Sequence, residues 1–422
     1  MNIQKFKSDT VNEEYTLAVL DNGLKVYIME KAGFNSTYAV FGTKYGSIDT
    51  CFSVNNGEKV SVPEGIAHFL EHKLFESEDG DAFTKYAKTG AYANAFTSFD
   101  RTCYLFSCSN SFDENMDILL DFVQNPYFTE QTVQKEQGII GQEIKMYDDS
   151  PNWCVLFNML EAMYHNNPVK IDIAGTVDSI AKIDANLLYK CYNTFYNPAN
   201  MFICVVGNVN TEKTLVKIEK AIKPNEKVTI ERTAIYEPES IVKGYIEKKL
   251  DVAMPLFCYG YKQPIVNDEP SLYDSICMNL LLKVIVGEAS PLYKKLTDLE
   301  LINDEFETEY FTGRNYAAVL FEGESKNPKA VTGHINEEIV ALSQNGINEA
   351  LFDSIKKEMY GSAIKRYNSI ENIAMLFIDS AISNYNIFDE IDIIRNLKKE
   401  DVEKYLSVLS SERSVLSVIL PR

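Results

Sequence analysis

An order of elements that occurs twice constrains the fold of this 422-residue chain more than any other feature. In the first half, Tyr15 to Leu20 and Leu24 to Met29 flank Asp21-Asn22-Gly23, a strong turn signal, and so predict a β-hairpin. A third strand is expected at Tyr38 to Phe41. A helix should follow, with Ser61 as its cap, Pro63 in its first turn, and Glu64 placed three positions after Ser61 as in a capping box. Thr97 to Ser107 alternates in polarity and reads as one strand. Helical patterns then occupy Phe112 to Val123, Thr129 to Met146 and Trp153 to Tyr164, and the apolar run Met201 to Val206 closes the set as a buried strand. A polar stretch with two prolines, Lys223 to Glu239, interrupts the pattern. Beyond it, Gly244 to Tyr261, Tyr316 to Glu322 and Ser414 to Leu420 are strand-like. Leu272 to Val286, Lys329 to Gln344 and Leu351 to Arg366 are helical. The second half thus repeats the element order of the first, and an α+β class with domains at 1–222 and 241–422, joined by 223–240, is expected.

A hydrophobic fraction of 45% with 24% charged residues is that of a globular chain with ample core. The formal net charge of -20 and a pI of about 4.8 oppose affinity for nucleic acid or anionic membranes, and favour basic partners. No uninterrupted apolar run approaches the length of a membrane span. The first twenty residues place polar and acidic side chains where an apolar signal core should be, so an unexported, cytoplasmic protein is the expectation. The eight cysteines lie scattered in apolar stretches without a CxxC pair, as small core residues of a reduced chain would.

Only four histidines occur, and two of them, His68 and His72, sit four apart in one helical stretch beside Glu71. That spacing puts both imidazoles on one helix face, able to chelate a single ion. Glu71, three residues after His68, shares the face and could take a proton from a metal-activated water. The neighbours Ile66, Ala67, Phe69, Leu70 and Leu74 are apolar, and charge placed on such a helix needs a partner or a metal. Catalytic zinc normally takes three protein ligands. Glu136 and Glu143, two helical turns apart, share a face of the later helix, so that one could complete the metal sphere and the other orient a ligand. No GxxxxGK[ST] loop, no GxGxxG after a strand and no GxSxG elbow supports a nucleotide or serine-hydrolase reading.

Taken together, these residues resemble the pitrilysin or insulinase peptidases, whose His-x-x-Glu-His motif inverts the thermolysin-type order. GIAHFLEHKLFE is similar to the family's signature, and QKEQGIIGQEIKMYDDSP to its distal glutamate helix. The resemblance implies one zinc ion per chain on His68, His72 and Glu143, with Glu71 as general base to a zinc-bound water and Glu136 as a supporting carboxylate. Ala93, Asn94, Ala95, Phe96 and Thr97 match the family's substrate-binding edge strand. Within the family, MYDDSPNW is most like the bacterial processing-peptidase subgroup. That subgroup implies two similar α/β domains, each a mainly antiparallel sheet covered by helices, and a zinc metalloendopeptidase acting on peptides, among which the net charge favours basic ones.

One departure stands out. The family's second domain usually offers an arginine and, seven residues on, a tyrosine to hold the substrate carbonyl, yet neither stands between Leu296 and Asp304. The chain is therefore expected either to be weak alone or to be half of an enzyme, and the second is preferred: a hetero-oligomer in which a related subunit lacking the zinc motif supplies that pair to a shared chamber. The alternative, a non-catalytic or structural subunit of the same fold, is disfavoured because His68, Glu71, His72 and Glu143 all stand.

Overall fold

In the computed structural model, which describes residues 1–78, 80–265 and 269–422, the chain forms two compact units. Unit 1 comprises Met1–Ile144, Asp172–Ala234 and Ile364–Ile387, and unit 2 comprises Lys145–Ile171, Ile235–Ala363 and Phe388–Arg422. The passage from Ala234 to Ile235 falls inside the polar stretch. That stretch is not wholly irregular, because Ile230–Arg232 pairs with Cys51–Val54 as a short strand.

Unit 1 is built on a seven-stranded sheet. Its order is Asn2–Ser8, Glu13–Val19, Lys25–Glu30, Met201–Gly207, Thr37–Thr43, Thr102–Cys108 and Tyr92–Thr97. All neighbours are antiparallel except Lys25–Glu30 with Met201–Gly207. The two central strands, Thr37–Thr43 and Met201–Gly207, are buried along their whole length, which is why their sequences read as continuous apolar runs rather than alternating ones. Helix Ile370–Ser383 packs on both of them. Tyr92–Thr97 pairs on one side only and is the sheet's edge.

Unit 2 repeats the arrangement on five strands, ordered Tyr245–Leu250, Ser414–Pro421, Leu256–Lys262, Tyr316–Glu324 and Glu307–Gly313. Again a single parallel pair, Tyr245–Leu250 with Ser414–Pro421, stands among antiparallel ones. Helix Pro151–Met163 packs on three of its strands. Gly260 faces that helix, since a Cβ there would lie 2.9 Å from the Met163 methyl carbon and 3.2 Å from the Met159 sulfur. Each unit is thus an α/β layer of the expected kind.

Three local expectations are corrected. Thr97 to Ser107 is not one strand: Tyr92–Thr97 and Thr102–Cys108 form a hairpin about Ser98–Arg101. Likewise, Gly244 to Tyr261 is two strands separated at Asp251–Pro255. The capping box at Ser61 does not form, because Ser61 belongs to the short strand Val60–Ser61 and the motif helix begins at Ile66. Gly65 stands at the cap with φ 84°, no side chain caps the helix, and a Cβ at Gly65 would lie 2.3 Å from the Ala174 carbonyl oxygen. Close backbone contact with residues 174–175 fixes the helix start, where the sequence alone suggested a side-chain cap. Seven of the eight cysteines are buried and Cys51 is half-buried, and all eight are free thiols.

Candidate metal centre

Helix Ile66–Leu74 is buried on most of its circumference: Ile66, Ala67, Phe69, Leu70 and Leu74 join the unit 1 core, and His68 and His72 share the face that remains. Opposite lies helix Glu130–Asp148. Its buried positions Val133, Ile140 and Ile144 hold it against unit 1, and Glu136 and Glu143 project on one face. The two helices bring His68, His72 and Glu143 together, with one ligand atom from each inside a common 4.8 Å.

The distances suit a small, tetrahedrally bound cation. His68 Nε2 lies 3.6 Å from Glu143 Oε1, and His72 Nε2 lies 3.5 Å from Glu143 Oε2. Two ligands bonded at about 2.0–2.1 Å and separated by a tetrahedral angle stand roughly 3.3 Å apart, so each pairing of Glu143 with a histidine is within a few tenths of an ångström of that spacing. On its other nitrogen, Nδ1, His72 meets Glu136 Oε1 at 3.0 Å, which fixes the ring and leaves Nε2 aimed at Glu143. His68 Nδ1 is buried and has no hydrogen-bond partner among the described residues. The two ligand rings are therefore held differently, one by a carboxylate and one by packing alone.

Electrostatics agree with a cation between these groups. Burial, and secondarily the neighbouring His72, lowers the His68 pKa to about 3, keeping it neutral and able to bind metal. For His72, burial acts to lower the pKa, but the hydrogen bond to Glu136 and the charges of Glu71, Glu143 and Glu136 outweigh it and raise the value. This is the signature of a site with an excess of negative charge. Glu71, only 8% exposed, is pushed above the usual carboxylate range chiefly by burial, against the opposing hydrogen bond from Thr97 and the charge of His72. The donor set of two imidazoles and a carboxylate matches zinc. It is the one such cluster found among the described residues.

Beside this cluster runs the free edge Tyr92–Thr97. Ala93 and Ala95 pack on the core, while Asn94 folds over the edge: its Oδ1 accepts the Ala95 N–H at 2.9 Å and its Nδ2 donates to Tyr92 Oη at 3.3 Å. Phe96 lies opposite Cys103 in the hairpin. A cavity of about 610 Å³ opens next to Glu71 and His72, walled by Phe75, Phe83, Asn94 and Ile139. The structure thus groups His68, His72 and Glu143, sets Glu136 against His72, and lines the adjoining cavity with Glu71, Asn94 and Ala95, while Ala93 and Phe96 are placed on the same edge strand. It adds the contact between Thr97 and Glu71, which no local pattern could reveal because the two residues stand 26 apart.

Two family models match the chain, one described as insulinase (peptidase family M16) over residues 55–177, and the other as the M16 inactive domain over residues 182–359. YmfH of Bacillus subtilis (strain 168), described as an uncharacterised zinc protease, is 40% identical over 410 residues, 96% of each chain. The chain belongs to the insulinase family. An M16-like peptidase from Alicyclobacillus acidocaldarius superposes with a TM-score of 0.93 at 30% identity, covering 97% of this chain and 99% of that one. The first half of the periplasmic protease PqqL from Escherichia coli shares the fold at 17% identity and a TM-score of 0.73, covering 99% of this chain and 93% of that one. With family membership and the zinc cluster both in place, the chain is a zinc metallopeptidase. The expectation of a cytoplasmic chain does not stand, because PqqL carries this fold in the periplasm. Composition and cysteine usage report what a fold tolerates and do not encode an address. Among the described residues, no single helix is long and apolar enough to cross a membrane.

Proposed function

We propose that this insulinase-family chain is a zinc endopeptidase that binds its substrate in extended form along Ala93–Thr97 and cleaves it beside Glu71. The observation that carries the reading is the adjacency of a zinc-type cluster to the unpaired edge of a sheet. An edge strand offers main-chain donors and acceptors to a peptide whatever its sequence, so affinity follows without a demand for particular side chains. For this to happen, Asn94 must release the Ala95 N–H, and its freed amide is then available to the peptide main chain.

His68, His72 and Glu143 would hold the ion, with Glu136 fixing the ring of His72. Zinc held there supplies Lewis acidity, polarising a peptide carbonyl and making water nucleophilic near neutral pH. Glu71 takes the proton from that water and returns it to the leaving amine. Its raised pKa suits it to the second step as well as the first. The net charge of -20 favours basic peptides among those short or unfolded enough to lie along the edge.

In sequence terms, residues 1–222 form the catalytic domain, 223–240 the connection and 241–422 the second domain. Since Leu296 to Asp304 offers neither arginine nor tyrosine, a related subunit without the zinc motif completes the chamber and contributes donors for the carbonyl oxygen. Two measurements test the reading. Glu71→Gln should retain one zinc per chain and lose cleavage by about 10²- to 10⁴-fold, and chelation should abolish cleavage outright. Full activity of the purified chain alone, unchanged by a partner carrying the arginine and tyrosine, would remove the second subunit from the scheme.

A further inference from the structure

We infer that Thr97 is a positioning residue for Glu71, and that its hydroxyl decides which carboxylate oxygen carries the proton during turnover. The inference rests on the peptidase reading above and assigns a task to a residue that reading uses only for its backbone.

Proton accounting makes the case. A threonine hydroxyl has one proton to donate. Thr102, fully buried, lies 2.9 Å from the Tyr45 carbonyl oxygen, which can only accept, so the Thr102 proton is committed there. Thr97 Oγ1 lies 3.4 Å from Thr102 Oγ1 and 2.7 Å from Glu71 Oε2. Thr102 has no proton left to give, so Thr97 receives none from it and is free to donate its own to the nearer, negatively charged acceptor. A hydroxyl-to-carboxylate bond at that length is of the strong, charge-assisted kind.

The consequence falls on Glu71. One lone pair of its Oε2 is taken by the incoming hydrogen bond, which lowers the basicity of that oxygen and favours Oε1 as the one that takes the proton from water. The same oxygen must then deliver it to the leaving amine. One face of the carboxylate is an anchor and the other does the chemistry, and the side chain need not rotate between the two steps. The geometry also joins binding to catalysis. Thr97 is the last residue of the edge strand, its backbone is registered against Thr102, and the following turn is pinned where Ser47 N–H donates to the Ser98 carbonyl and Ile48 N–H to the Phe99 carbonyl. A peptide added along Ala93–Thr97 therefore lies on the same strand that aims the base.

The test compares the zinc-loaded full-length protein, with its partner subunit if one is required, as wild type, Thr97→Val and Thr97→Ser. Valine keeps the branched shape and removes the donor, and serine keeps the donor. Thr97→Val should lower kcat on the order of 10- to 100-fold with KM changed less than about twofold. Zinc content should stay at one per chain, and Thr97→Ser should fall within about threefold of wild type. Crystal structures supply a readout independent of activity: the Glu71 carboxylate should leave its position in Thr97→Val and keep it in Thr97→Ser. The proposal is overturned if Thr97→Val turns over like wild type, if Thr97→Ser is as impaired as Thr97→Val, if the loss appears in KM, or if Glu71 stays in place without the hydroxyl. A wild-type protein that binds zinc yet cleaves no peptide would instead overturn the peptidase reading, with the crystal structures still deciding whether Thr97 positions Glu71.

Discussion

The two units reach their sheet edges by matching routes that differ in chemistry. In unit 1 the chain leaves strand Thr37–Thr43, passes through helix Ile66–Leu74 and the eight-residue helix Ala82–Thr89, and returns as the edge hairpin Tyr92–Thr97 and Thr102–Cys108. In unit 2 it leaves Leu256–Lys262, passes through Leu272–Val286 and the eight-residue helix Pro291–Asp298, and returns as Glu307–Gly313 and Tyr316–Glu324. In both sheets the single parallel pair lies directly beside the strand where this route begins, on the side away from the edge. Yet Leu272–Val286 buries nine apolar side chains and contains neither histidine nor glutamate, whereas Ile66–Leu74 gives one face to two imidazoles and buries Glu71. Topology supplies an edge and a helix beside it. Only in unit 1 does the sequence turn that place into a site, consistent with the inactive-domain model that matches much of the second half.

The sharpest way to break the comparison is to remove ligands from the first helix and apolar contacts from the second. Replacing His68, His72 or Glu143 by alanine should take zinc from about one per chain to none, and cleavage to background, as measured by metal analysis and peptide hydrolysis. Leu281→Ala, at a fully buried position of the second helix, should leave zinc bound while lowering the free energy of unfolding by about 2–5 kcal/mol in denaturant titration. If Leu281→Ala released zinc, or if the ligand variants lost as much stability as this one, the division between a site helix and a core helix would not hold.

A smaller effect distinguishes the two ligand histidines. His72 is held by Glu136 and His68 by packing only. Glu136→Gln keeps a hydrogen-bonding side chain but not the charge, and zinc affinity should fall roughly 10- to 100-fold without loss of the site. Competition with a chelator of known affinity measures it. An unchanged affinity would show that His72, like His68, is oriented by its surroundings.

These contrasts also explain what could be read in the sequence. The motif was legible because metal ligands on a helix must recur near its period, and His68, Glu71 and His72 do, as do Glu136 and Glu143. The edge hairpin was read as one strand because its turn, Ser98-Phe99-Asp100-Arg101, contains no glycine, proline or asparagine to break the alternation. Periodicity told that Trp153 to Tyr164 has an apolar face, but not that the face covers the strands of unit 2. The Thr97 hydroxyl was invisible as a partner of Glu71, since hydrogen bonds between distant side chains leave no local pattern.

The start of the motif helix shows the same limit most clearly, and it yields the smallest effect predicted. Ser61 and Glu64 have the spacing of a capping box, but a cap requires the helix to begin next to it, and four residues intervene before Ile66. What places the first turn is the approach of Gly65 to Ala174 and Gly175, more than a hundred residues away: a Cβ on Gly65 would come within 2.3 Å of the Ala174 oxygen, and one on Gly175 within 2.6 Å of the Glu64 oxygen. Both glycines have positive φ, 84° and 74°, so two backbones meet where neither can carry a side chain. Gly65→Ala should therefore be destabilising by about 1–2 kcal/mol from the left-handed backbone alone, with more from the clash. Ser61→Ala should change stability by less than about 0.5 kcal/mol, as expected of an exposed position that caps nothing. Because His68 lies in the turn that Gly65 begins, Gly65→Ala should also weaken zinc binding while Ser61→Ala leaves it unaltered. Equal effects from the two substitutions would restore the side-chain cap that the sequence suggested.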